Sequence, residues 1–372
     1  MTQPGADGNA QPDFKKEIRQ QLAALDKLSP KKRRPRKIKP MASAAEIISK
    51  SATLAPLAAL TPTHQRLLQA AQAIYQEPGD VDNAAWMAHQ LVQATLPHSN
   101  PNGNPPEWIR SNGNLTLSIR PGYATNPKTG ERYCIGYPYG SIPRLVLFWL
   151  ITEVVRDRDR RIRDNDRCVV LGRSLSEFMR KVGLNPDNGT GKRSDAKRLR
   201  DQMDRLFNAQ ISFDQVQERG KRWLHMSIAP QGEFWWDLRQ PEQGNLWKSW
   251  IELGQEFFQA ILASPVPVDI RALRELKHSP LALDLYSWAT YKTFSVSKKN
   301  APQRMTWRQL QMQLGGEYTN PKDFKRKALA ALKKVRIVYP WLRLEQIDGG
   351  FIINPSRPSI SEKSAPAQSP GR

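Results

Sequence analysis

Arginine and lysine are the residues whose types and spacing give this chain its chemistry. They recur in two stretches, KRSDAKRLRDQMDRLF (192–207) and NPKDFKRKALAALKKVRIV (320–338). Turned at about 100° per residue, the second stretch gathers Phe324, Ala328, Ala331 and Val335 on one face. Lys322, Arg326 and Lys333 fall opposite, with Lys325 at the flank. In the first stretch Leu199, Met203 and Leu206 share a face, Lys197, Arg198 and Arg205 lie roughly opposite, and Arg193 stands at the start. Residues 320–338 carry seven Lys/Arg against one Asp. A helix of this kind buries one side and offers cations on the other. Lys and Arg neutralise phosphates and release counterions, which supplies affinity without sequence information. A groove-facing Arg grips guanine O6 and N7 with two hydrogen bonds, and Arg193, Arg198 and Arg326 are the candidates. Between ISFDQV and RWLHMSI, Arg219, Lys221 and Arg222 lie at a hairpin tip, within reach of phosphates or a minor groove. An isolated amphipathic surface helix shows the same pattern, and only the surrounding layout separates the two.

Other chemistries find no residues to carry them. The five histidines, His64, His89, His98, His225 and His278, are all isolated, and no His-x-His pair offers a metal site of the nicking-enzyme kind. Tyr137 and Tyr139 read as packing residues rather than nucleophiles. DNGTGKRS (187–194) is the nearest string to a phosphate-binding ATPase loop. Arg193 replaces the magnesium-holding hydroxyl, and Pro186 stands where the first glycine belongs. Gly189 and Gly191 read as a flexible loop, with a close approach of the helix to a phosphate as the alternative. Cys134 and Cys168 are too scattered for a disulfide framework or zinc finger and suit a reducing compartment. Trp235, Trp236, Trp247, Trp250 and Trp288 raise the idea of single-strand stacking, but most read as core. No enzyme activity, metal or cofactor is expected.

These cations must be positioned by folded elements. A formal net charge of +22 over 372 residues points to a polyanion, nucleic acid ahead of an acidic membrane surface. No apolar run approaches the roughly 20 residues of a membrane span. MTQPGADGNA has neither the basic nor the apolar region of a secretion signal, so a cytoplasmic location is expected. Residues 1–40 hold eleven Lys/Arg against four Asp/Glu and end in KKRRPRKIKP, which reads as a basic disordered arm. A nuclear signal has the same composition. Residues 41–106 read as an Ala/Gln-rich extension, with helices near 42–50, 63–76 and 82–95 and a linker at 97–106. Residues 357–372 read as a disordered tail.

The centre of the chain is the informative part. GYPYGSIPRLVLFWLITEVVR (136–156) predicts a helix apolar nearly all round, too short for a bilayer and too greasy for a surface, hence a central core helix. A short strand follows, CVVLG, and then a helix capped by Ser174 with Glu177 three residues on. After a Gly/Asn-rich loop come the basic helix at 192–207 and the hairpin across ERGK (218–221). The order then repeats: an aromatic core helix at 279–294, QRMTW, a helix begun by Thr306, the basic helix at 320–338, and a hairpin turning at Asp348-Gly349-Gly350. WKSWIEL reads as a strand between the halves. The expected fold class is α+β, mainly helical, with tandem winged helix-turn-helix domains at 107–240 and 241–356. A structural RNA-binding protein is the alternative of another class, predicting shape readout without site preference.

The wording of GYPYGSIPRLVLFWLITEVVR, LGRSLSEFMRKVGL and KRLRDQMDRLFNAQISF resembles the plasmid-encoded RepA replication initiators. The likeness is close over 136–213 and extends more loosely to about 356, through FFQAILASPVPVDIRALRELKHSPLALDLYSWATY. It implies a bacterial, cytoplasmic protein that binds repeated origin sites (iterons) in duplex plasmid DNA. It further implies opening of an AT-rich segment, engagement of the host replication initiator and replicative helicase, and repression of its own promoter as a homodimer. A winged-helix transcriptional regulator without a replication role is the competing reading.

Overall fold

The computed structural model describes residues 61–80, 82–189, 191, 194–234, 249–315 and 318–360. The basic arm, the proposed helix at 42–50 and residues 361–372 lie outside them. The described chain begins with α1 (Pro62–Gln76), β1 (Ala84–Ala88) and α2 (His89–Gln93), followed by β2 (Trp108–Asn112), β3 (Leu115–Arg120), β4 (Gly122–Thr125) and β5 (Arg132–Gly136). Next come α3 (Ser141–Arg156), α4 (Arg158–Arg163), β6 (Cys168–Gly172), α5 (Leu175–Lys181), α6 (Asp195–Asn208), β7 (Gln210–Gln217), β8 (Gly220–Ser227) and β9 (Gln231–Glu233). The second half holds β10 (Ser249–Glu252), α7 (Gln255–Ala263), β11 (Pro265–Asp269), α8 (Ile270–Leu276) and α9 (Pro280–Lys299). It continues with β12 (Gln303–Thr306), α10 (Trp307–Leu314), α11 (Pro321–Val338), β13 (Leu344–Ile347) and β14 (Gly350–Ile353). This is an α+β chain of helices and small sheets.

The greasy stretch is the core helix that its composition demands: 13 of the 16 residues of α3 are buried. Gly140, at φ +79°, turns the chain into it through a backbone region that a side chain resists. Pro143 sits in its first turn, where the missing amide costs nothing. Its counterpart α9 is capped by Ser279, whose hydroxyl accepts from the Ala282 amide at 3.3 Å, and it buries Trp288, Tyr286 and Leu285. The two core helices touch each other within one hydrophobic cluster that runs from Leu67 to Ile360.

A buried ionic knot fastens them. Arg144 of α3 reaches Asp284 of α9 through Nε at 2.7 Å and Nη2 at 2.9 Å, and His98 Nε2 meets the same carboxylate at 2.7 Å. Nη1 donates to Pro97 O and Gly140 O, and the second Nη2 hydrogen is shared between Leu96 O and Thr95 Oγ1. Burial alone raises the Asp284 pKa, but the Arg144 charge and the hydrogen bonds from His98 and Arg144 outweigh it and hold the carboxyl at about 2.

The helix expected over 82–95 is instead the strand β1 followed by short α2; β1 pairs antiparallel with β11, Ala84 against Asp269 through Ala88 against Pro265. All five residues of β1 are buried, and a short run buried on both sides has no period to tell strand from helix. Residues 97–106 are a packed loop rather than a free linker: Pro97 O accepts from Gly140 N, and Pro105 O accepts from the Tyr137 hydroxyl at 2.5 Å. Residues 357–360, expected in the tail, are held, with Tyr339 donating to Arg357 O at 3.0 Å and Ile360 bridging to Gly79. Residues 107–135, for which the sequence predicts no elements, hold β2, β3, β4 and most of β5. The two halves also differ in their sheets. In the second, β12, β14 and β13 form one sheet in that order. In the first, β6 does not join the β7–β8 hairpin; it pairs with β10, which also pairs with β9, while β3 takes the outer edge of β7 to give the order β2-β3-β7-β8.

Candidate nucleic-acid interface

Each basic helix is positioned by a capped helix before it and a hairpin after it. Ser174 Oγ accepts from Glu177 N at 3.1 Å, and Glu177 returns a bond to Arg173 N at 2.8 Å, one residue short of the reciprocal box that the spacing predicts. Thr306 and Gln309 complete that box, with Gln309 N to Thr306 Oγ1 at 3.1 Å and Thr306 N to Gln309 Oε1 at 2.9 Å. Gly183 ends α5 at φ +80°, whereas Gly315 ends α10 in the right-handed region at φ −77°. Ser194 then caps α6, and Asn320 caps α11 with Pro321 at its first position.

On α6, Leu199, Met203 and Leu206 are fully buried, and Lys197 and Arg198 are exposed on the far side together with Arg200. Arg198 rests on Asp195 at 3.3 Å, an i, i+3 pair whose arginine is exposed and whose aspartate is half-buried. Arg205 does not share their surroundings. It is half-buried, stacked over the Tyr139 ring at 5.4 Å and directed at Tyr137 O, and the space it fills lies against Gly136. Its work is to pack α6 onto the entry of α3, because the helix turn that carries it faces β5 rather than solvent. Arg193 lies outside the described residues.

On α11, Phe324, Ala328, Ala331 and Val335 are buried as the 3.6-residue period requires. Lys322 and Arg326 are exposed, and Lys325 and Lys333 are half-buried. Arg326 pairs with Asp323 at 3.2 Å, both exposed, and the Lys325 ammonium stands 5.6 Å from the Trp307 ring. Arg336 departs from any amphipathic reading: it is 4 % exposed, and its Nε and Nη1 have no hydrogen-bond partner. Burial alone pushes its pKa down to about 10. The helix packs against α1, and Tyr75 of α1 stacks on Trp341 just past the end of α11. An element from outside the expected second unit therefore covers part of its basic helix.

The β7–β8 hairpin closes over Glu218 and Arg219, with Gln217 opposite Gly220. Arg219, Lys221 and Arg222 are all exposed. Strand alternation sends Lys221 and Arg222 to opposite faces. Lys221 shares its face with Asp214, at 3.4 Å, and with Trp223, which is 65 % exposed. The second hairpin carries Glu345 and Asp348, both exposed, and is not a basic wing. Trp288 is core, donating Nε1 to Gln313 at 3.0 Å, and Trp250 is half-buried in β10; Trp235, Trp236 and Trp247 lie outside the described residues. Tyr137 is fully buried, its pKa pushed up to about 12 by that burial, which makes it a packing group. Among the described residues no three His, Cys, Asp or Glu side chains gather as a metal site, and no helix is long and apolar enough to cross a membrane.

Sequence reasoning passes over two cations, Arg110 of β2 and Arg308 of α10, which the fold brings beside Lys322 and Lys325. Neither has a periodic signal, since each is a lone cation in a mixed segment.

The family whose members are described as plasmid encoded RepA protein matches residues 137–309. The match runs from the entry of α3 through α6 and the first hairpin to the start of α10, and stops before α11. No curated protein and no solved structure matches the chain.

Proposed function

We propose, on the premise that the chain belongs through residues 137–309 to the plasmid-encoded RepA family, that it initiates plasmid replication by binding repeated origin sites in duplex DNA through two winged-helix units. The observation that carries this reading is the repeated layout: a buried core helix, a capped helix, a helix with one buried and one cationic face, and a hairpin. In the second unit the strand order β12-β14-β13 supports the winged form directly. In the first, β6 has left the hairpin, and the wing is instead the outer pair of a four-stranded sheet. Lys197 and Arg198 on α6, Lys322, Lys325 and Arg326 on α11, and Arg219, Lys221 and Arg222 at the hairpin tip are the contacts proposed, with Lys333 at the margin. Arg205 is left to packing. The family resemblance adds origin opening, helicase recruitment and autorepression as further steps of the same proposal.

A footprint of the full chain on its plasmid's origin, at near-physiological salt, tests it. Regularly spaced protection over direct repeats is the expected result. Protection of a single inverted repeat at a promoter overturns it in favour of a regulator, and binding without site preference overturns both.

A further inference from the structure

We propose that the hollow between β2 and the corner of α10 and α11 binds a backbone phosphate of the DNA, held by Arg110, Arg308, Lys322 and Lys325; this rests on the duplex-binding reading above. Lys325 stands between two hollows of nearly equal size. One, about 600 Å³, opens toward the β13–β14 hairpin and is lined by the carboxylates of Glu345 and Asp348. The other, about 610 Å³, is lined by four cations and no carboxylate. Coulomb's law separates them: a phosphodiester in the first meets two like charges against Lys325 alone, and in the second four opposite charges and no like one. The four cations come from three elements. Arg110 is 8 % exposed and its guanidinium lies 4.7 Å over the Trp108 ring, so it is already ordered before any ligand arrives. Lys325 sits beside Trp307. Arg308 and Lys322 are exposed and free to close from outside. Trp307 and Met312 give the hollow apolar surface suited to a sugar beside the phosphate.

The position has a consequence. Arg110 belongs to the sheet that carries the first hairpin, and Lys322 and Lys325 to the basic helix of the second unit. A phosphate held here lies on the seam between the units and fixes the register of one against the other on the same duplex.

The experiment measures binding of the full chain to an origin duplex from 50 to 200 mM salt, with phosphate-ethylation interference on the same duplex. The variants are R308A, at an exposed position, and R110K beside it. Each phosphate contact contributes a slope of about −0.9 in log K against log salt, so losing one weakens the salt-induced fall in affinity by about 3.5-fold over this range. The expected result is that loss in R308A, and a smaller one in R110K, which keeps the charge, with the preference for origin over unrelated duplex unchanged, and with one ethylation site blocking wild type but not R308A. If wild type binds the origin and the variants keep its slope and its interference pattern, the hollow faces solvent and only this inference falls. If ATP at matched ionic strength displaces the duplex from wild type but not from R308A, the hollow takes a free nucleotide and the backbone assignment is overturned. Failure of wild type to prefer origin duplex removes the premise itself.

Discussion

Asp284→Ala is the substitution whose cost follows most directly from the buried ionic knot. The carboxylate is 8 % exposed and accepts three short bonds, at 2.7 and 2.9 Å from Arg144 and 2.7 Å from His98. Removing it leaves the Arg144 guanidinium, 2 % exposed, with its four oxygen acceptors but no countercharge. Breaking one partner out of a buried ion pair costs about 3–5 kcal/mol. A domain's total stability is about 5–15 kcal/mol, so about a fifth or more disappears. At about 2–4 °C per kcal/mol, the melting temperature falls by roughly 6–20 °C. Urea denaturation and calorimetry measure it. The double variant Arg144→Met with Asp284→Leu is expected to recover most of the loss, because it removes both charges and fills the site with apolar volume. The carboxyl titrates near 2 in the fold and near 3.8 when unfolded, so its contribution is complete above about pH 4 and fades as pH falls toward 2. A loss below about 1 kcal/mol for D284A, or a double variant as damaged as the sum of its singles, refutes the reasoning by showing that the knot is hydrated.

Four more outcomes are expected. Burial, opposed by the Asp284 hydrogen bond, holds the His98 pKa below its unfolded 6.5. The unfolded chain therefore takes up a proton that the fold refuses, and stability drops as pH falls from 7.5 to 5.5; H98Q is expected to flatten that decline in urea titrations. R336M removes a buried cation without a countercharge and is expected to leave stability unchanged or raise it, by up to about 4 kcal/mol; a lowered melting temperature contradicts this. R198A and R326A each weaken binding to the specific site by about 1–3 kcal/mol, and unchanged footprints in both take these helices out of the groove. Neutralising Arg219, Lys221 and Arg222 together flattens the salt slope while leaving site preference intact, and an unaltered slope means the hairpin tip faces solvent.

The sequence by itself determined the elements whose period or punctuation has one physical meaning. A run apolar on every side, as in α3, has nowhere to go but the interior. The apolar faces of α6 and α11, the Ser174 and Thr306 caps, and the turns at Glu218-Arg219 and Asp348-Gly349 were all legible because local geometry alone sets them. Tertiary structure decided what depends on partners distant in the chain. β1 is a strand because β11 and α3 cover it, and Ala-Ala-Trp-Met-Ala carries no alternation to announce that. Arg205 and Arg198 are both cations on one helix, yet one packs on Tyr139 and the other meets water, because β5 approaches only one end of α6. The buried Arg144–Asp284 pair joins residues 140 apart, and Arg110 comes to lie beside Lys322 only because α10 packs on β2. Periodicity reports which face of an element is buried, but not which other element buries it, and the charges that meet across such a contact are fixed by the packing alone.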